Sequence, residues 1–179
     1  MKISTRKLVL DALMIALVFL ITYLPFLHIP SPIAQGYFNI GDSIIMIAAI
    51  LLGKKSGFIA GAIGSALADL AYGSFIFVPI TFIVKGLEGY IVGAIANKNS
   101  EKAPSNTLRI ISLVVGALIM VSGYFVLELT VIRLFDKTLA FTAVAAELPG
   151  NLIQGAVSAI VAYAFIMVLD RSKLIIKFK

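Results

Sequence analysis

The sequence predicts an all-α integral membrane protein: a single bundle of six transmembrane helices with both termini in the cytoplasm. Three observations carry this expectation. Sixty per cent of the 179 residues are apolar and only 13% are charged, against roughly 25% charged in an ordinary soluble domain. A water-soluble fold of this size has too much surface to hide that much apolar side chain. The apolar residues fall into six runs, and the basic residues cluster in alternate connections between them.

The first run predicts a helix at about 7–28. A signal peptide is not expected there, because Leu8 to Leu27 is too long for a signal core and no A-x-A-like site closes it. Residues 29–39 (IPSPIAQGYFN) carry no charge but two prolines and two aromatics, which suits an outer loop acting as a lid. The second helix, about 40–54, is short; a span needs about 20 residues, so its outer end is expected below the membrane surface. Lys54-Lys55-Ser56-Gly57 marks a sharp turn into a third helix, about 56–73. A fourth follows at about 77–97. The polar stretch NKNSEKAPSNT, residues 97–107, is a solvated loop. Helices five and six are expected at about 108–134 and 143–170.

Orientation follows from the cations. Lys2, Arg6, Lys7, Lys54, Lys55, Lys98, Lys102, Arg109, Arg171, Lys173, Lys177 and Lys179 all fall on one side of a six-helix bundle. Arg133 and Lys137 lie on the other, and Lys85 lies within a helix. The positive-inside rule places the basic side in the cytoplasm. The net charge of +6 is thereby a matter of topology, not of nucleic-acid binding. With no cysteine and a lone histidine, His28, neither a thiolate nor a multi-histidine metal site can be built, and no cofactor is expected.

Ionisable groups inside a membrane cost several kcal/mol and mark functional sites. Asp42 opens helix two, where an acid is also a plain capping choice. Asp69 and Tyr72 share a face near the outer end of helix three. Lys85 and Glu88 lie one turn apart in helix four, either lining a site or pairing with each other or with Asp69 to fix the helices. Glu128 lies in helix five, where facing the headgroups is the other reading. Glu147, Asn151 and Gln154 form one stripe at i, i+4 and i+7 in helix six. Most of these residues fall within about two turns of the outer helix ends. The inner half is apolar apart from Asp11 and Asp170 at its boundary, whereas a channel needs polar lining throughout. The expectation is a cup with a closed floor. Tyr37, Phe38 and Asn39 are candidate lid residues, with an interfacial aromatic belt as the alternative for the two rings.

Small residues recur every four positions at Gly57, Gly61 and Ser65, and at Gly89 and Gly93. In lipid this spacing lets backbones pack closely. Ala12 and Ala16 form a similar pair in helix one.

Phe38-Asn39-Ile40-Gly41-Asp42, Leu52 to Gly57, Gly61 to Leu70, Lys85 to Gly89 and Leu148 to Gly155, taken in this order, resemble the S components of energy-coupling factor (ECF) vitamin transporters. The resemblance covers residues 5 to 170. It implies a six-helix, non-enzymatic, outward-facing vitamin-binding subunit in the bacterial plasma membrane. It also implies docking onto a transmembrane T component that carries two ATPase subunits, with delivery by toppling in the bilayer. Ala12 and Ala16 match the family's A-x-x-x-A contact for the T component. The chain has no G-x-x-x-x-G-K-[ST] loop, so any ATP is used by partners. Within the family the chain looks most like hydroxymethylpyrimidine or pyridoxine binders, then riboflavin binders. The mostly acidic candidate set suits a small heteroaromatic ring with hydroxyl, amino or ring-nitrogen groups better than an anion. The alternative is a self-sufficient proton- or ion-coupled carrier acting as a dimer. An intramembrane enzyme is disfavoured, because no nucleophile–base pair can be assembled around the one histidine.

Overall fold

The computed structural model describes residues 4–30, 37–98, 104–135 and 140–172. Residues 31–36 of the expected lid, 99–103 of the polar loop, and Lys2, Lys102, Lys137, Lys173, Lys177 and Lys179 lie outside the described residues.

The described residues form six α-helices: α1 (Thr5–Tyr23), α2 (Gly41–Leu52), α3 (Lys54–Tyr72), α4 (Phe77–Ala96), α5 (Asn106–Phe135) and α6 (Ala140–Arg171). Three of them, α4, α5 and α6, are long and apolar enough to cross a membrane. The 19-residue α1 and α3 are less apolar. Their first turns hold Arg6 and Lys7, and Lys54 and Lys55, and α3 is rich in glycine, alanine and serine. At 12 residues, α2 extends only about 18 Å.

The boundaries follow local chemistry. Ser4 caps α1 by accepting a hydrogen bond from the Lys7 backbone N–H. The helix stops at Tyr23, earlier than the apolar run suggests, because the residue before Pro25 is biased out of the helical region. Gly53, at φ 94°, turns α2 into α3, and Gly73, at φ 89°, ends α3 in the left-handed region that glycine alone enters without steric cost.

The described residues between α1 and α2 carry secondary structure of their own. A short 3₁₀ turn, Pro25–Leu27, leads into an antiparallel pair, β1 (His28–Pro30) and β2 (Tyr37–Asn39), with Ile29 opposite Phe38. Because α2 is short, its β2 end stops part-way up the bundle. The hairpin approaches α6 there, and the Asn39 backbone N–H donates to Gln154 Oε1 at 2.9 Å.

Helices α3 and α4 pack backbone to backbone. A methyl group added at Gly57 would lie 2.6 Å from both the Gly89 carbonyl oxygen and Ala49 Cβ. Gly61 sits equally tightly against the Lys85 carbonyl. Backbone cannot move aside as a side chain can, so Gly57→Val is expected to cost about 1–3 kcal/mol, read as a lower unfolding midpoint in detergent. At the end bearing the N-terminus Met46, Ile47, Ile50, Leu51, Val92, Leu113 and Ile166 form one apolar cluster, with the Arg109–Asp170 ion pair and the buried Ser56 and Ser112 hydroxyls around it. This packing closes the floor of the bundle.

Candidate functional site

The polar residues gather at the opposite end, under the hairpin. Thr22 of α1, Tyr37, Phe38 and Asn39 of β2, and Ser65 and Asp69 of α3 form part of the wall. Phe77, Thr81 and Lys85 of α4, Tyr124 and Glu128 of α5, and Glu147, Asn151 and Gln154 of α6 complete it. The enclosed space is about 40 Å³, room for about three water molecules.

One hydrogen-bonded chain ties four elements together. The Gly41 N–H donates to Asn39 Oδ1 at 2.8 Å, and Gln154 Nε2 donates to Asp42 Oδ2 at 2.8 Å while its Oε1 holds the Asn39 N–H. Lys85 Nζ forms an ion pair with Asp42 Oδ1, both side chains being at most 3% exposed. The ammonium also lies 5.2 Å from the centre of the Tyr124 ring, a cation–π distance. Tyr124 and Thr81 share a 2.9 Å hydrogen bond.

Above this chain, Tyr37 Oη donates to Asp69 Oδ1 at 2.8 Å, and its ring packs 4.7 Å from that of Tyr72. Burial first, then the neighbouring Asp69 carboxylate, raise the Tyr37 phenol above its ordinary value of 10.0. The neutral donor form is therefore the one the fold favours. Its contribution is complete below about pH 10 and fades only as pH rises beyond the range in which a free phenol ionises.

Eight of the eleven sequence candidates line the chamber: Tyr37, Phe38, Asn39, Asp69, Lys85, Glu147, Asn151 and Gln154. Three do not. Asp42 lies behind the wall as partner to Lys85 and Gln154, so the pairing of Lys85 with Glu88 or Asp69 gives way to one with Asp42. Tyr72 is 42% exposed and stands behind Tyr37, whose ring it packs against. Glu88 is wholly buried one turn below Lys85, with neither carboxylate oxygen hydrogen-bonded among the described residues.

Glu128 moves the other way. It does not face the headgroups but is 3% exposed in the chamber wall. It lies near the C-terminal end of α5, one turn after Tyr124, which shares the wall. Thr22, Ser65, Thr81 and Tyr124 are also wall residues; Thr81 and Tyr124 meet across α4 and α5, a pairing between helices that no local spacing reveals. Ala12 and Ala16 are exposed on α1, alongside Leu8, Val9, Leu13 and Leu20.

Phe38 divides two spaces. On one side is the polar chamber. On the other is an apolar groove of about 290 Å³, lined by Ile29, Ile40, Gly150, Ile153 and Val157. The Phe38 ring fills the place a side chain at Gly150 would occupy. Pro149 precedes that glycine inside α6 and removes one helical N–H donor there.

Residues 2–171 match the family of the ECF-type riboflavin transporter, S component. This chain belongs to that family. ECF S components are membrane-embedded transporter subunits, not enzymes. The chain also superposes on the solved S component of a bacterial ECF transporter with a TM-score of 0.66. That superposition covers 96% of this chain and 98% of the other at 21% identity, which establishes the shared S-component fold. A curated relative from Pyrococcus woesei, an uncharacterized protein in the gap 3′ region, is 43% identical over 99 residues. The match covers 54% of this chain and 62% of that protein, so the S component described here spans less than two thirds of that relative.

Proposed function

We propose that this S component captures a small heteroaromatic vitamin or vitamin precursor in the polar chamber and delivers it to an ATP-driven T component. The observation that carries this reading is the one-ended chamber. Carboxylates, amides, a lysine and two tyrosines from five elements converge at the hairpin end, over an apolar floor. A floor of packed Met, Ile, Leu and Val offers an ion no path, which favours capture from one side over a self-sufficient carrier. All six helices cross the cell membrane in this reading, with the basic ends and both termini in the cytoplasm.

Hydroxymethylpyrimidine and pyridoxine are the preferred ligands. A single ring displaces the least wall from a space of about 40 Å³, and its hydroxyl and ring-nitrogen groups match acids, Asn and Gln. Riboflavin is the second reading, favoured by the family that the chain matches. Titrating the purified protein with all three compounds distinguishes them. Tight one-to-one binding of a single-ring compound, with no uptake by vesicles lacking T and ATPase subunits, is expected. Conversion of the ligand, or sustained uptake by the chain alone that collapses with the proton gradient, contradicts the reading.

Ala12 and Ala16 present a small-residue surface on the exposed face of α1, suited to close helix contact with the T component. Ala16→Leu is expected to leave vitamin binding intact and to lower ATP-dependent uptake at least ten-fold in vesicles holding the complete transporter. Phe38 is the wall between the chamber and the apolar groove. Gly150→Ala places a methyl group against its ring and is expected to weaken binding by about 1–2 kcal/mol, mostly through faster dissociation.

A further inference from the structure

A second groove lies on the outside of the bundle and shares no lining residue with the chamber. Phe58 and Ile59 of α3 and Leu87 and Tyr90 of α4 wall about 460 Å³ of space with apolar surface, and Lys55 stands at its basic end. Its shape follows from the close α3–α4 contact. Phe58 lies over Gly86, where a methyl group would meet the ring at 2.8 Å, and Lys54 backbone packs on Gly93. That packing fixes Lys54 at the mouth, with its ammonium 5.4 Å from the centre of the Tyr90 ring. Both lysines are exposed, and neither forms an ion pair with a carboxylate among the described residues.

We infer that this groove is a binding site for one anionic phospholipid of the leaflet at the basic end, with a chain against Phe58, Ile59 and Leu87 and its phosphate between Lys54 and Lys55. Two features select this occupant. The groove wall is apolar from Phe58 to Leu87, which suits a hydrocarbon chain. Its charged end carries two cations without carboxylate partners among the described residues, and in the orientation proposed above, on which this inference rests, that end lies at the cytoplasmic headgroups, where juxtamembrane lysines attract anionic lipid. Tyr90, with an apolar body and a polar tip, suits the same boundary.

Native mass spectrometry of the full chain, delipidated and then exposed to equal amounts of phosphatidylglycerol and phosphatidylcholine, tests this. The wild type is expected to retain one phosphatidylglycerol in at least five-fold preference. Lys54→Gln/Lys55→Gln should abolish the preference, and Leu87→Trp, which fills the groove, should remove retention of either lipid. Arg171→Gln, at the end of α6 and outside the groove lining, should change neither. Unaltered vitamin binding confirms that each variant is folded, and a variant that loses it is replaced by Leu87→Phe at the groove or Lys55→Gln alone. Equal retention of both lipids by the wild type, unchanged preference in the lysine variant, or loss of preference in Arg171→Gln would overturn the assignment. Displacement of the lipid by purified T component, with complex formation weakened by Lys54→Gln/Lys55→Gln, would instead make the groove a protein interface.

Discussion

Replacing Lys85 with methionine is expected to be the most damaging single change in the protein. Lys85 and Asp42 are an almost fully buried pair, and removing the cation leaves the Asp42 carboxylate uncompensated beside Gln154. Breaking a buried pair from one side costs about 3–5 kcal/mol. For a domain of this size that lowers the unfolding midpoint by roughly 10 °C. The double variant Asp42→Asn/Lys85→Met carries no unpaired charge and should recover most of the loss. Vitamin binding should not recover with it, because Lys85 also lines the chamber. Thermal unfolding and ligand titration of the two variants separate these effects. Equal destabilisation of the single and double variants would mean that the pair is not what orders α2 against α4.

The second large effect is expected on the face of α6. Glu147 and Asn151 are one turn apart, at most 8% exposed, and both in the chamber wall. Glu147→Ala or Asn151→Ala should each weaken vitamin binding by about 1–3 kcal/mol, which is about 5- to 150-fold in Kd. Polar groups on the ligand would then be buried without partners. Isothermal titration of each variant with the preferred vitamin checks this, and unchanged affinity in both would move the site elsewhere.

Much of this architecture is legible in the amino-acid sequence. The six helices follow from apolar runs, and the observed ends lie within about five residues of those expected. The Glu147-Asn151-Gln154 stripe is readable because helical periodicity alone puts i, i+4 and i+7 on one face. The recess above α2 is readable from the length of that helix. The hairpin is not, because three-residue strands leave too short an alternation to separate from a loop. The partner of Lys85 is hidden for a different reason. Asp42 and Lys85 are 43 positions apart, and nothing local chooses between Asp42, Asp69 and Glu88. The hydrogen-bonded route through Asn39 and Gln154 spans 115 positions, and only the packing of β2 onto α6 brings it together. Glu128 keeps two readings in the sequence, pocket or headgroups, because depth along α5 does not reveal the inward rotation that packing imposes.

The small residues show where a sequence pattern carries geometry and where it does not. Gly57, Gly61, Gly89 and Gly93 are true contact points between backbones. Ala12 and Ala16 have the same spacing but lie exposed. Spacing marks a surface able to pack closely, and only the fold says whether that surface is already occupied.

The most direct test is quantitative mass spectrometry of small molecules that co-purify with the detergent-solubilised protein, comparing the wild type with Glu147→Ala/Asn151→Ala. The wild type is predicted to carry close to one equivalent of a heteroaromatic vitamin or precursor that the double variant lacks. A compound retained equally by both, or a folded wild type that binds none of the vitamins offered, would contradict a ligand site in the chamber beneath the hairpin.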